Sequence, residues 1–183
     1  MMNPSAAVQT AWGIDPTHSE VHFKVKHMMV STVTGAFNEF TGKILTQKED
    51  FENANISFTA HVDSIDTKNK QRDEHLKSGD FFNAVQFPKL KFQSKSFTKK
   101  WSGDYRLIGD LSIRGQTREV ELNVVYHGSA IDPYGQTKAG FEMMGKLNRK
   151  DFGLKWNAIT EAGGVMLSDE VRLELNIQLI KNA

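Results

Sequence analysis

Apolar side chains recur at every second position through most of this sequence, and that period of two dictates the class of fold. In Val21, Phe23 and Val25 they alternate with His22, Lys24 and Lys26; in Ile56, Phe58, Ala60 and Val62 they alternate with Ser57, Thr59, His61 and Asp63. Tyr105, Leu107, Leu111 and Ile113 continue the pattern, followed by Val120, Leu122 and Val124, then Phe141, Met143 and Leu147. A final run sets Val171, Leu173, Leu175, Ile177 and Leu179 against Arg172, Glu174, Asn176 and Gln178. Successive side chains of a strand point to opposite faces, so each run describes a strand with one buried and one wet face. Trp101-Ser102-Gly103-Asp104, Arg114-Gly115-Gln116 and Asp132-Pro133-Tyr134-Gly135 supply tight-turn chemistry between the runs. Between Val33 and Ile44, Phe37 and Phe40 have opposite parity, and a β-bulge near Asn38 would bring both to one face.

One segment departs from the pattern. Asp66 or Thr67 is placed to cap a helix through Lys70, Arg72, Glu74 and Leu76, with Gly79 ending it and a short turn through Phe81 and Phe82 following. No repeat, low-complexity tract or linker interrupts the 183 residues, which suit a single domain over residues 1–183. Lys and Arg number 23 against 22 Asp and Glu, so the overall positive field that draws a protein to nucleic acid is missing, and no such partner is expected. The absence of cysteine excludes a disulfide scaffold, a thiolate zinc site and a cysteine nucleophile. No stretch approaches the length of a membrane-spanning helix. Met1 to Gly13 shows no basic segment followed by an apolar one, so the chain as written is expected in the cytoplasm, and in the periplasm if a leader has been removed.

About eight strands with one apolar face either close into a barrel, which removes exposed edges, or stack as a sandwich. A barrel of that size is filled by its own side chains or holds one small ligand. Ala60, Gly109 and Gly145 fall at inward parity among larger neighbours and leave room along the axis unless they mark bulges or close packing. An empty lumen would favour an elongated apolar guest. A strand of about nine residues spans roughly 30 Å, and burying ten CH₂ groups at about 0.8 kcal/mol each yields about 8 kcal/mol before the cost of ordering the ligand.

Certain groups of residues are more specific. They are Trp12-Gly13-Ile14-Asp15-Pro16 with His18-Ser19, Lys26-His27-Met28 leading to Thr34-Gly35 and Phe37, and Ser64-Ile65-Asp66-Thr67. Arg72-Asp73-Glu74-His75-Leu76-Lys77-Ser78, Asp80-Phe81-Phe82 and Phe87-Pro88 follow, then Gly109-Asp110-Leu111 with Ile113 and Gly115, and Asn148-Arg149-Lys150-Asp151-Phe152-Gly153-Leu154. In this order they resemble the YceI-like, polyisoprenoid-binding family across essentially the whole chain. The resemblance implies an all-β fold: a single extended, lipocalin-like antiparallel β-barrel of about eight strands with one short helix over or beside one end. It also implies a lumen that holds a polyisoprenoid, prenyl diphosphate, fatty acid or fatty amide, as a carrier or storage protein of bacterial type. Many members of that family carry a secretion leader, a pattern from which this sequence departs.

The expected lining of the lumen is Phe23, Val25, Phe58, Val62, Leu107 and Leu111, with Leu122, Phe141, Met143, Leu173 and Ile177; any one of them could instead be packed core. A polar or anionic headgroup needs donors at a barrel mouth. Arg72 and His75 lie one helical turn apart and can face the same way, or else form an ion pair or cap contact with Asp66, Asp73 or Glu74. Arg149 and Lys155, with Lys150, form a second basic group that is otherwise solvated surface. His18 and His22 have the spacing of two metal ligands on a helix, but Asp15-Pro16 and the alternation from Val21 argue for loop and strand, so no metal or other cofactor is expected. No hydrolase elbow, phosphate loop or dinucleotide fingerprint occurs, and no catalytic residue is assigned. An enzyme acting on an amphiphile, and an interaction module with a filled barrel that meets a protein partner or a second copy of itself, remain as rival readings.

Overall fold

The computed structural model describes residues 8–47, 50–158 and 166–182. The alternation produces strands that form one antiparallel sheet, closed on itself where β1 (Thr10–Ile14) pairs with β11 (Leu167–Lys181), Trp12 opposite Lys181. The result is a closed eight-stranded barrel. Its first three staves are each broken at mid-height. β1 continues into β2 (Glu20–His27) across a 3₁₀ turn at Pro16–His18, β3 (Ser31–Phe37) into β4 (Phe40–Thr46) across Asn38 and Glu39, and β5 (Asn55–His61) into β6 (Ile65–Asp66) across Val62–Ser64. Two of the breaks satisfy each other: the Asn38 amide donates to Ser64 O at 3.2 Å and the His61 amide to Glu39 O at 2.9 Å. The remaining staves are β7 (Lys89–Lys99), β8 (Tyr105–Ile113), β9 (Gln116–Ile131), β10 (Thr137–Asn148) and β11. Neighbours in sequence are neighbours in the ring, the up-and-down arrangement that leaves no free edge.

Phe37 and Phe40 are both buried, but a two-residue break at Asn38 and Glu39 reconciles their parity, where a one-residue bulge was expected. Shifts of register do occur elsewhere. One between Ser94 and Ser96 puts Leu90 and Phe97, of opposite parity, in the interior together, and another lies between Gly140 and Phe141 opposite β9.

Between β6 and β7 stands α1 (Lys70–Lys77). Its cap differs from expectation: the Asn69 side chain accepts from the Arg72 amide at 2.9 Å, and Ser78 ends the helix before Gly79. Asp66 and Thr67 serve the connection instead, Asp66 Oδ1 accepting from the Lys68 amide at 2.8 Å and the Thr67 hydroxyl donating to Asp73 Oδ1 at 2.6 Å. With α1 at this end lie the β2–β3 and β8–β9 turns and the segment after β10.

The opposite end is stoppered by aromatic rings. Phe51, from the loop between β4 and β5, lies with its ring centroid 5.1 Å from Trp12, 5.6 Å from Tyr126 and 4.9 Å from Phe141. Phe97 stacks on Tyr105 at 4.5 Å, and the Tyr105 hydroxyl accepts from the Phe51 amide at 3.3 Å. Burial raises the Tyr105 pKa above its ordinary value, while the bond from the Phe51 amide opposes the shift.

Gly109 and Gly145 leave no space along the axis, contrary to the expectation of room there. The Phe92 ring lies over Gly109 and the Leu122 side chain over Gly145, where a Cβ would collide with them. These glycines let a neighbouring strand's side chain lie flat on the sheet. Ala60, fully buried, does border the lumen.

Candidate ligand-binding site

Inside the ring, above the aromatic stopper, is a cavity of about 360 Å³, within the range of roughly 300–1,000 Å³ typical of small-molecule sites. Its wall follows from the period of two, since every stave turns its apolar face inward. Phe23, Val25, Phe58, Leu107, Leu111, Leu122, Phe141, Met143, Leu173 and Ile177 all border it. Val62 does not: it sits in the turn that breaks the third stave, 1% exposed, packed in the cluster with Phe37, Phe40 and Phe82. That turn interrupts the alternation, so the parity argument that placed Val62 in the lumen fails there.

Residues outside that expectation complete the wall. Val21, Val120, Leu147, Val171 and Leu175 share the inward parity of the runs that contain them. Phe92 belongs to β7, where alternation with Lys89 and Lys91 also exists but changes phase at the register shift. Phe51 and Trp156 come from connecting segments, where no periodicity points to them.

Polar groups gather at the α1 end, where Thr67, Arg72, His75, Arg149 and Trp156 border the cavity. Arg72 is committed to its own connection, Nε donating to Thr67 Oγ1 at 2.8 Å and a terminal nitrogen to Thr67 O at 2.7 Å. This replaces the expected contacts with Asp66, Asp73 or Glu74, although Thr67 passes the link on to Asp73. His75 Nε2 lies 2.9 Å from Asp80 Oδ2, and its ring meets Phe81 and Trp156 edge-on at 5.1 and 4.8 Å. Lys155 is exposed and does not border the cavity.

Arg149 is the surprise, being buried rather than solvated. Its Nε donates to Ser168 O at 2.9 Å and Nη1 to Leu154 O at 2.6 Å and Trp156 O at 2.8 Å, so one guanidinium ties the segment after β10 to the start of β11. Among the described residues Nη2 has no hydrogen-bond partner, Asp169 Oδ1 lying 3.8 Å away. Burial lowers the Arg149 pKa while Asp169 opposes the shift, and a guanidinium keeps its charge in either case.

His18 and His22, whose spacing is that of two metal ligands on a helix, go separate ways. His18 Nδ1 lies 2.8 Å from Asp15 Oδ2 beside the first break, and His22 Nε2 lies 3.3 Å from Glu20 on β2.

Residues 12–179 match the model of the YceI-like domain. The chain belongs to the YceI-like family. Among its curated relatives, UPF0312 proteins of Staphylococcus aureus strains N315 and Mu50 are each 37% identical over 170 residues, or 92% of this chain and 96% of theirs. BcnA of Burkholderia cenocepacia shares the fold with a TM-score of 0.78 at 20% identity, over 90% of this chain and 98% of that one. The YCEI protein of Campylobacter jejuni is similar at a TM-score of 0.71 and 28% identity, over 87% and 91% of the two chains. A polyisoprenoid binding domain from Saccharophagus degradans shares the fold at 0.68 and 13% identity, over 94% and 99%.

Proposed function

We propose that this protein binds a long apolar or amphiphilic molecule of the polyisoprenoid or fatty-chain class inside the barrel and shelters it from water as a carrier or store. The observation that carries this reading is the cavity: apolar along the staves, closed by aromatic rings at one end, with hydrogen-bond donors at the other. A wall of this kind repels water and favours hydrocarbon at about 25 cal/mol per Å² removed from water. Membership of the YceI-like family, and the description of the Saccharophagus neighbour as polyisoprenoid binding, support the same class of guest.

The guest lies with its polar end toward α1 and its tail toward Phe51 and Phe141. Arg149 Nη2 is the group best suited to the polar end, because a buried donor without an acceptor costs about 1–3 kcal/mol, which a headgroup oxygen would relieve. A prenyl alcohol or diphosphate, a fatty acid and a fatty amide all supply such an oxygen.

Native mass spectrometry of protein purified without detergent, followed by organic extraction, tests the reading. Added geranylgeraniol or its diphosphate is expected to bind one per chain. Recovery of no apolar guest, together with no uptake of either probe, would overturn it.

A further inference from the structure

The hairpin joining β2 to β3 ends in three consecutive exposed apolar residues: Met28 at 46%, Met29 at 65% and Val30 at 82% exposure. The turn is also conformationally unfavourable. Met28 (φ 52°) and Met29 (φ 58°) both occupy the left-handed region, and the Val30 amide bonds to His27 O at 3.1 Å, the pattern of a type I′ turn, which favours Asn-Gly. Methionine at both positions and valine beside them serve neither the turn nor solubility, and strain of this kind clusters where a surface does something.

The tip belongs to the α1 end of the lumen. His27 and Val33 on its flanks border the cavity, as does Met166, whose carbonyl accepts from the Met28 amide at 2.7 Å. Lys26 beside the tip, with Lys70 and Lys155 at the same end, makes no ion pair among the described residues. The carboxylates that β11 brings nearest are already engaged, Asp169 with Lys150 at 3.2 Å and Glu170 with Arg172 at 3.6 Å. Exposed apolar side chains beside Lys26, an exposed cation with no ion pair among the described residues, match the two attractions offered by an anionic lipid surface: an apolar boundary to enter and negative headgroups above it.

We propose that the Met28-Met29-Val30 tip docks the protein on an anionic bilayer, bringing the α1 end of the cavity to the membrane that holds or receives the guest. The purpose of this docking rests on the lipid-carrier reading, but its test does not. Trp101 and Tyr134, at 101% and 91% exposure, stand at the opposite, stoppered end and supply an internal control.

Co-sedimentation with isoprenoid-free vesicles of phosphatidylglycerol and phosphatidylcholine measures the docking directly. The unaltered protein is expected to bind vesicles containing phosphatidylglycerol and to leave them as salt rises. The triple variant Met28→Asn, Met29→Gly, Val30→Thr is expected to bind at least about ten-fold more weakly, whereas Trp101→Ser binds as before. Because Asn-Gly suits the turn, the triple variant should melt no lower than the parent; the single change Val30→Ser provides a second, milder reading. Uptake of a soluble fluorescent fatty acid without vesicles should be unchanged in the triple variant, and loss of that uptake in the parent protein would count against the lumen reading alone. Docking by the tip is overturned if the parent stays in the supernatant, if the triple variant binds as the parent does, or if Trp101→Ser takes the loss. It is equally overturned if sedimentation shows that the tip only joins two copies of the chain.

Discussion

Asp15 sits at the first break in the ring, and its carboxylate gathers several partners there. It accepts from the Thr17 amide at 3.0 Å and hydroxyl at 2.7 Å, from Gln178 at 3.1 Å and from Lys138 at 3.3 Å, with His18 at 2.8 Å. Burial alone would raise its pKa, but the bonds from Thr17, His18 and Lys138 outweigh that and hold the carboxyl well below the usual carboxylate range. Its folded-state value thus lies below the unfolded one, near 3.9. The stability it contributes is therefore complete above about pH 4 and is lost as pH falls from there toward the folded-state value. Asp15→Ala should lower the melting temperature at pH 7, by a loss of about 1.5–3 kcal/mol, and flatten the acid limb of a stability-versus-pH curve. An unchanged acid limb would remove Asp15 from this role. At Gly109 the argument is steric: Gly109→Val drives a side chain into the Phe92 ring and the Gln93 carbonyl, which should cost about 1–3 kcal/mol in denaturant titration.

At the scale of elements, α1 depends on a cap that the sequence reading placed too early. Asn69→Ala removes the acceptor for the Arg72 amide and should cost about 1 kcal/mol, read as faster hydrogen exchange in the first turn of α1. The misplacement has a physical origin, since Asp66, Thr67 and Asn69 are all competent caps and only the path of the chain decides among them. The strands were legible because burial on one face of a sheet leaves a period of two that no loop imitates for long. Legibility ended where that period breaks. Val62 lost its parity to a 3₁₀ turn, the phase of β7 changed at Lys95, and Phe51 and Trp156 reach the interior from segments with no period. Arg149 was named as a headgroup candidate, but its burial was not legible because a cation is usually solvated; here Ser168, Leu154 and Trp156 supply the carbonyls that permit it, and none of that is visible in a linear sequence.

For the whole molecule, the decisive property is the unfilled volume inside the ring. Val171→Trp adds an indole to the wall and should weaken binding of a geranylgeranyl probe about ten-fold or more by occupying its place, while far-ultraviolet circular dichroism stays that of a barrel. Retained affinity in that variant would place the guest elsewhere. A guest that binds only the folded chain should also raise the melting temperature, with about 2.7 kcal/mol of added stability at a hundred times the dissociation constant. The pairing of Trp12 with Lys181 and of Thr10 with Thr46 sets both ends of the barrel's chain at the stoppered pole, away from α1. A tether grafted before β1 or after β11 would therefore leave from the stoppered pole, so that protein immobilised on a bead or fused to an anchor would turn α1 outward.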